Sequence, residues 1–360
     1  MTKFFNSIIS ASGSFIPPVK VHNDAFLDNE FYSVEGVKSE KDIKDSIEKF
    51  QQITGISKRR YVTKDLVASD LAYFAAMNAI ESGEIDKETI DIIIVAHNFA
   101  DVTQDYARVD TMPSLASRVK HKLKIQNPDT IAYDIIFGCP GWLQAVIQAD
   151  YYIKSGDAKR ILVIGADTLS RVCDPSDRDS MIFSDGAGAV IIDCKESESP
   201  VGILAHKTRT DTLNEAYYLK MGTANNHALN DGTLYIKMEG RKLYAHALNT
   251  VPDVIKSCLL KADVTFNKIK KILMHQANAK MDEAILERLF ALFGQSKIPD
   301  DIMPMTISEL GNNSVATLPI LYDFIMKGQL KGHDLQLGDD IVFASVGAGM
   351  NINSVIYRIP

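Results

Sequence analysis

The sequence predicts an α/β fold made of two similar halves, and three observations carry that prediction. Strand-like apolar runs alternate with helix-length segments along nearly the whole chain. Several of those runs are continuous and β-branched rather than alternating, as in IDIIIVA at 90–96, which is how a strand buried on both faces of a parallel sheet reads. A strand–turn–helix pattern also recurs at long range, in DIIFGCPGWLQAVIQADYY and in KKILMHQANAKMDEAILERLF, with Cys139 at one junction and His275 at the other. Two halves built alike would place both residues at the same end of their sheets.

Taken in order, strands are expected at 6–12, 90–96, 132–137, 160–166, 187–193, 271–274 and 341–346. Helices are expected at 69–82, 140–155, 241–261, 280–293 and 315–327. The opening FFNSII is broken by Asn6 and Ser7, too weak for the apolar core of a signal peptide, so it reads as the first strand. Segment 29–49 is polar and charged and reads as a surface insertion or a helical excursion. Segment 98–111 follows a strand end, where α/β proteins place binding loops. The halves divide as 1–195, carrying Cys139, and 196–360, carrying His275 and Asn312. The GAG at 186–188 leads into a strand rather than a helix, which makes a dinucleotide fingerprint a poor reading.

Composition narrows the function classes. The 360 residues, 46% hydrophobic and 24% charged, have the mix of a soluble globular protein. A net charge of −7 disfavours non-specific binding to nucleic acid or to anionic membrane. No 18-residue apolar run is present. The four cysteines, Cys139, Cys173, Cys194 and Cys258, have no metal-like spacing, and they point to a reduced, cytoplasmic compartment with free thiols and no metal site.

Cys139 is the residue that chemistry singles out. It stands in Phe137-Gly138-Cys139-Pro140-Gly141, after a strand and before a helix. A thiol at a helix N-terminus meets unpaired N–H groups and the positive end of the macrodipole, which favour thiolate. Pro140 suits the first turn, where its missing N–H would be unpaired in any case. A nucleophilic cysteine also needs a polar partner and a means of stabilising an oxyanion. His275 in HQAN and Asn312 in LGNNS each open a helix and could supply these, although a lone histidine or turn asparagine is more often structural.

Seven segments then occur in one order. They are TGISKRRYV (54–62), FGCPGW (137–142), CDPSDRDSMIFSDGAGAVII (173–192), MEGRKLYAHAL (238–248), HQAN (275–278), LGNNSVATLP (310–319) and VGAGMN (346–351). Together they resemble the condensing enzymes of the β-ketoacyl-ACP synthase III family. The resemblance implies a thiolase-like fold, two α/β halves in a five-layered αβαβα architecture, usually a homodimer. It implies that Cys139 accepts an acyl group from a thioester and that His275 and Asn312 hydrogen-bond the thioester carbonyl of the second substrate. The backbone N–H groups of Cys139 and Ala348 would form an oxyanion hole, each donor contributing about 3–4 kcal/mol. No cofactor is implied beyond substrates carried as coenzyme A or acyl carrier protein (ACP) thioesters. Asn312 separates this family from relatives that carry a second His or a second Cys there. His97 and Asn98 stand where hydroxymethylglutaryl-CoA synthases need a glutamate.

Three departures bear on the substrate. The family's adenine-stacking Trp is replaced by the Glu48-Lys49-Phe50-Gln51 stretch, although Arg178 matches its Arg partner. Lys280 falls where the family carries a docking Arg for an acidic carrier protein, with Lys58, Arg59, Arg60, Arg241 and Lys242 as further candidates for a basic patch. Met112, before Pro113, replaces an aromatic residue that reaches the partner's acyl pocket. A flexible Met there suits a different chain. These features suggest specialised fatty-acid or polyketide-type biosynthesis, such as dialkylresorcinol formation. The alternatives are acyl transfer to an alcohol or amine, a non-catalytic partner subunit, and a Cys–His hydrolase.

Overall fold

A computed structural model of the chain describes residues 4–104 and 108–360. One sheet is built from β1 (Phe4–Phe15), β2 (Ile92–Ala96), β3 (Ile131–Ile135), β4 (Arg160–Thr168) and β5 (Asp185–Ser197), in the order β1-β5-β4-β2-β3. The other is built from β6 (Gly202–Thr210), β7 (Ile269–Met274), β8 (Asp340–Gly347) and β9 (Asn351–Arg358), in the order β6-β9-β8-β7. The division between sheets falls between Ser197 and Gly202.

Helices fill three layers around them. α2 (Ala68–Ser82) and α3 (Leu115–Leu123) cover the outer face of the first sheet. α5 (Gly240–Ala262) covers the outer face of the second and carries α6 (Ala279–Leu292). Between the sheets lie α4 (Gly141–Ser155) and α7 (Thr317–Met326), which pack on both. The layers run αβαβα, the thiolase-like architecture. The central layer is the most apolar: α4 and α7 bury Trp142, Leu143, Ile147, Leu318, Leu321 and Tyr322 against strands of both sheets. Trp142 is therefore a core residue, edge-on to Phe343 with ring centroids 5.9 Å apart.

The two halves repeat each other strand by strand. β1–β5 and β5–β4 are antiparallel and β4–β2 is parallel; β6–β9 and β9–β8 are antiparallel and β8–β7 is parallel. Chain order then matches α2 with α5, α3 with α6, and α4 with α7. This corrects the correspondence expected from sequence. The helix after Cys139 is equivalent to the one after Asn312, not to the one after His275, and His275 answers to His97 at the end of β2. The strand–turn–helix pattern recurs at every crossover of the fold, so pattern alone could not choose among them.

Other differences are local. β6 and β9 lie outside the expected strands, as does α3, whose LASRVKHKL is rich in cations. Segment 29–49 runs into α1 (Ile43–Thr54), with Asp42 accepting hydrogen bonds from the N–H groups of Lys44 and Asp45 and Gly55 closing it in the left-handed region. In 98–111, Asp101–Val102 pairs with Val109–Asp110, and residues 105–107 of that expected loop lie outside the described residues. The GAG at 186–188 runs inside β5. No helix among the described residues is long and apolar enough to cross a membrane.

Candidate active site

Parallel strands leave their binding loops at the carboxyl ends, and the residues singled out above follow such ends. Residues 136–140 leave β3 and enter α4, and His275 directly follows β7. The turn at 138 and the turn at 348 touch. A Cβ placed on Gly138, whose φ is +65°, would lie 2.6 Å from the Ala348 nitrogen, and one on Gly347 would lie 2.5 Å from the Cys139 nitrogen. Only side-chain-free residues permit this approach, and it brings the Cys139 and Ala348 backbones side by side.

Ser314 joins the thiol to the asparagine. Its Oγ–H faces Cys139 Sγ at 3.4 Å, and its backbone N–H donates to Asn312 Oδ1 at 2.8 Å. Because that contact uses the amide oxygen, the Nδ2 donors of Asn312 are left for the cavity that Asn312 lines. The Asn312 backbone is pinned from both sides, donating to Ile182 O at 3.0 Å and accepting from Ser184 N at 2.9 Å. Asn98 extends the network: its Nδ2 donates to Ser314 Oγ at 2.9 Å and to Asp167 Oδ2 at 2.7 Å. Asn98, Asp167 and Ser314 lay outside the expected site. The only available signals were their positions at the ends of β2 and β4 and inside LGNNSVATLP.

Two cavities meet at this network. A pocket of about 340 Å³ holds Cys139, Ser314 and Ala348 among apolar walls that include Leu169, Leu219 and Met221. A cleft of about 620 Å³ is lined by Asn312, Asn278, Tyr244 and Phe50 and carries Arg178, Arg241, Lys41 and Lys49. Phe183 lines both.

The electrostatics depart from the expectation of an acidified thiol. Burial pushes the Cys139 thiol up to about 11; the Ser314 hydroxyl opposes this and the Asp167 carboxylate adds to it. The thiol faces a cavity, so a substrate can reach it, yet protein surrounds it and its thiolate is poorly solvated. His275 is buried and its imidazole is lowered to about 4 by burial alone, so it is neutral at physiological pH. Its backbone N–H donates to Ala344 O at 2.9 Å, which anchors it beside β8.

The remaining expected residues scatter. Arg178 and Arg241 stand at the cleft, with Arg178 beside Asp179 at 3.3 Å. Lys280 is exposed on the first turn of α6, flanked by the cleft residues Asn278 and Met281. Arg59 is fully buried, donating to Asn23 Oδ1 and to Val21 O and lying over Phe26, so it belongs to no surface patch. Lys58 pairs with Glu309 and Lys242 with Glu239. Met112 is 84% exposed and lines neither cavity. Phe50, where a stacking Trp was sought, is buried with Arg59 over its ring. His97 bonds Asp134 at 3.0 Å, and Asp134 accepts from the first N–H groups of α3, a structural arrangement.

The αβαβα fold is that of the acyl-transferring condensing enzymes, with Cys139 and Asn312 at two adjoining cavities and His275 lining neither. The family model of 3-oxoacyl-[acyl-carrier-protein] synthase III matches residues 133–212, and that of its C-terminal part matches 259–359; together they cover half of the chain. The crystal structure of 3-oxoacyl-[acyl-carrier-protein] synthase III from Aquifex aeolicus VF5 is similar at 28% identity and TM-score 0.79, over 98% of this chain and 100% of that one. The synthase III from Thermus thermophilus follows at 26% identity and TM-score 0.78, over 98% of each chain. OleA from Xanthomonas campestris, crystallised with lauric acid and lauroyl-CoA, shares the fold at 17% identity and TM-score 0.76, over 98% of this chain and 99% of that one. The chain belongs to the 3-oxoacyl-[acyl-carrier-protein] synthase III family.

Proposed function

We propose that this enzyme loads an acyl group onto Cys139 and joins it to a second thioester by Claisen condensation. The observation that carries this reading is the placement of Cys139 and Asn312 on either side of Ser314, one in an apolar pocket and the other in a wider cleft that carries Lys41, Lys49, Arg178 and Arg241. In the first step the Cys139 thiolate attacks the donor's thioester carbonyl, the carbon–sulfur bond to the carrier breaks, and the carrier leaves as a thiol with the proton that Cys139 lost. The Cys139 and Ala348 amides are the donors for the tetrahedral oxyanion. In the second step a malonyl-type thioester in the cleft loses carbon dioxide. The electron pair of that bond becomes an enolate, whose oxygen takes hydrogen bonds from His275 Nε2 and Asn312 Nδ2. The enolate carbon attacks the acyl-Cys139 carbonyl, and collapse of the adduct returns the Cys139 thiolate. A β-ketoacyl-type thioester, whose α-hydrogen is acidic, would serve by losing that proton to water instead.

The donor is carried on coenzyme A or on an acyl carrier protein, with Arg178 and Arg241 at the cleft and Lys280 beside it as the cationic contacts. The working form is a homodimer in which Met112 of each subunit reaches the other's acyl pocket. Replacement of an aromatic residue by Met112, together with the absent Trp, favours a specialised pathway over acetyl-primed fatty-acid initiation. Lauroyl-CoA bound to a protein of the same fold makes long-chain thioesters the first donors to try. Intact-protein mass after incubation with acyl-CoAs and acyl-ACPs of increasing length tests the loading step. One acyl adduct, absent in Cys139→Ala, is expected. Carbon dioxide release from labelled malonyl thioester tests the second step. An adduct that passes to an alcohol or amine with no carbon dioxide released would sink the condensation reading.

A further inference from the structure

A two-stranded ribbon, Leu219–Gly222 paired antiparallel with Tyr235–Met238, borders both cavities. Residues directly opposite in such a pair share a face, and so does every second residue along each strand. Leu219, Met221, Ile236 and Met238 therefore lie on one face; the first three line the Cys139 pocket and Met238 lines the Asn312 cleft. Lys237 lies on the other face. A lysine there would ordinarily be solvated, yet Lys237 is 7% exposed. Its Nζ donates to Asp174 Oδ2, to Asn225 Oδ1 at 2.7 Å and to Asp177 Oδ2 at 3.2 Å, one acceptor for each of its three hydrogens. The acceptors are themselves held. Asp174 Oδ2 also accepts from Asn225 N–H at 2.6 Å, and its Oδ1 accepts from Ser176 N–H at 2.9 Å and Ser176 Oγ–H at 2.6 Å. Segment 29–49 joins the same cluster, with Tyr32 N–H donating to Ser176 O at 2.9 Å and Asn225 Nδ2 donating to Tyr32 O at 3.0 Å. An apolar side chain could fill this place without the cost of desolvating an ion pair. What the ammonium adds is direction, because three fixed acceptors define where its tip sits.

We propose that Lys237 is a positioning residue that sets the chain-length preference of the Cys139 pocket. Its ammonium fixes the back of the ribbon to the loop at 174–177, and the apolar front of the ribbon becomes a rigid wall for the acyl chain. The backbone supports the same junction, since Ile236 N–H donates to Val172 O at 2.9 Å. Asp177, the neighbour of the cleft residue Arg178, is held by the same tie. The inference rests on the reading that an acyl group carried by Cys139 occupies this pocket.

The test uses the full-length enzyme and saturated acyl-CoAs from acetyl to palmitoyl, with loading of Cys139 followed by intact-protein mass. Lys237→Met keeps the stem and removes the charge. It is expected to lower the ratio of kcat/KM between the best donor and its shorter neighbours roughly tenfold, the discrimination that about one methylene of fit supplies. The loss should appear as a raised KM for the best donor, with the maximal loading rate within about twofold, because a pocket wall contributes binding common to ground and transition states. Amide hydrogen exchange should quicken at least tenfold in 219–238 and stay unchanged in α7. Lys237→Arg, which restores the charge, should recover most of the length preference. Asn225→Ala removes one acceptor and leaves the ion pairs; it should shift both readouts in the same direction, and it serves as the probe if Lys237→Met does not fold. Wild-type length preference and wild-type exchange in both Lys237→Met and Asn225→Ala would overturn the proposal. So would an equal fall in loading at every chain length, which marks a merely structural role. If wild-type Cys139 takes up no acyl group from any donor, the loading reading fails, and exchange in 219–238 alone then decides whether Lys237 holds the ribbon.

Discussion

The site's residues carry two opposed pH signatures. His275 titrates at about 4 in the folded protein against about 6.5 unfolded, so between those values the unfolded chain binds more protons. Its contribution to stability is complete above pH 6.5 and is lost as the pH falls toward 4, about 3 kcal/mol in all. Thermal or urea melts from pH 7 to 4 should show wild type losing that much more than His275→Gln. The same value predicts that condensation shows no histidine titration near pH 6.5. Cys139 behaves in the other direction. With its thiol near 11, alkylation by iodoacetamide should rise about tenfold per pH unit from 7 to 10. A plateau already reached at pH 7 would mean that the helix N-terminus outweighs burial, as the sequence alone suggested. Gly138→Ala combines a left-handed backbone, roughly 1 kcal/mol, with a Cβ 2.6 Å from Ala348 N. Loading of Cys139 should drop at least 100-fold, seen as loss of the acyl adduct in a folded protein.

At the scale of elements, α1 forms one wall of the cleft, with Lys49, Phe50 and Ile53 facing it. Its start depends on Asp42, which accepts from Lys44 N at 2.7 Å. Asp42→Ala should cost about 1 kcal/mol of local stability. Faster hydrogen exchange confined to α1 and a raised KM for the carrier-borne substrate, with kcat unchanged, are the expected readouts. Long elements with β-branched runs or clear helical periods were legible from sequence, because burial on one or both faces writes a period into the chain. α3 and β9 were not. The first presents mostly cations to solvent, and the second, NINSVIYR, places polar Asn351, Asn353 and Ser354 in buried positions that only neighbouring strands explain.

For the whole molecule, the exposed Met112 makes an assembly prediction. The enzyme should sediment at twice the mass of the 39.8 kDa chain, and Met112 should be protected from oxidation in that dimer. Replacing it should move the preferred donor length, with Met112→Trp shortening it, while the rate with the shortest accepted donor changes little. A monomeric enzyme with unchanged chain-length preference in Met112→Trp would remove this residue from the substrate site. The repeat of two halves also shows why the sequence-level symmetry was only half right. It recognised that the chain is built twice, but the equivalence of α4 and α7 comes from their shared place between the sheets.

The sequence by itself determined the α/β class, most of the strands and helices and the family resemblance, and it singled out Cys139, His275 and Asn312 as candidates. Periodicity and short motifs are local properties, and they survive without a partner segment. Only the tertiary structure decided that Ser314 links the thiol to Asn312, that Asn98 and Asp167 stand behind it, that Arg59 is a core residue, and that burial pushes the thiol up. Burial and charge proximity depend on segments tens to hundreds of residues apart, and no local pattern encodes that distance.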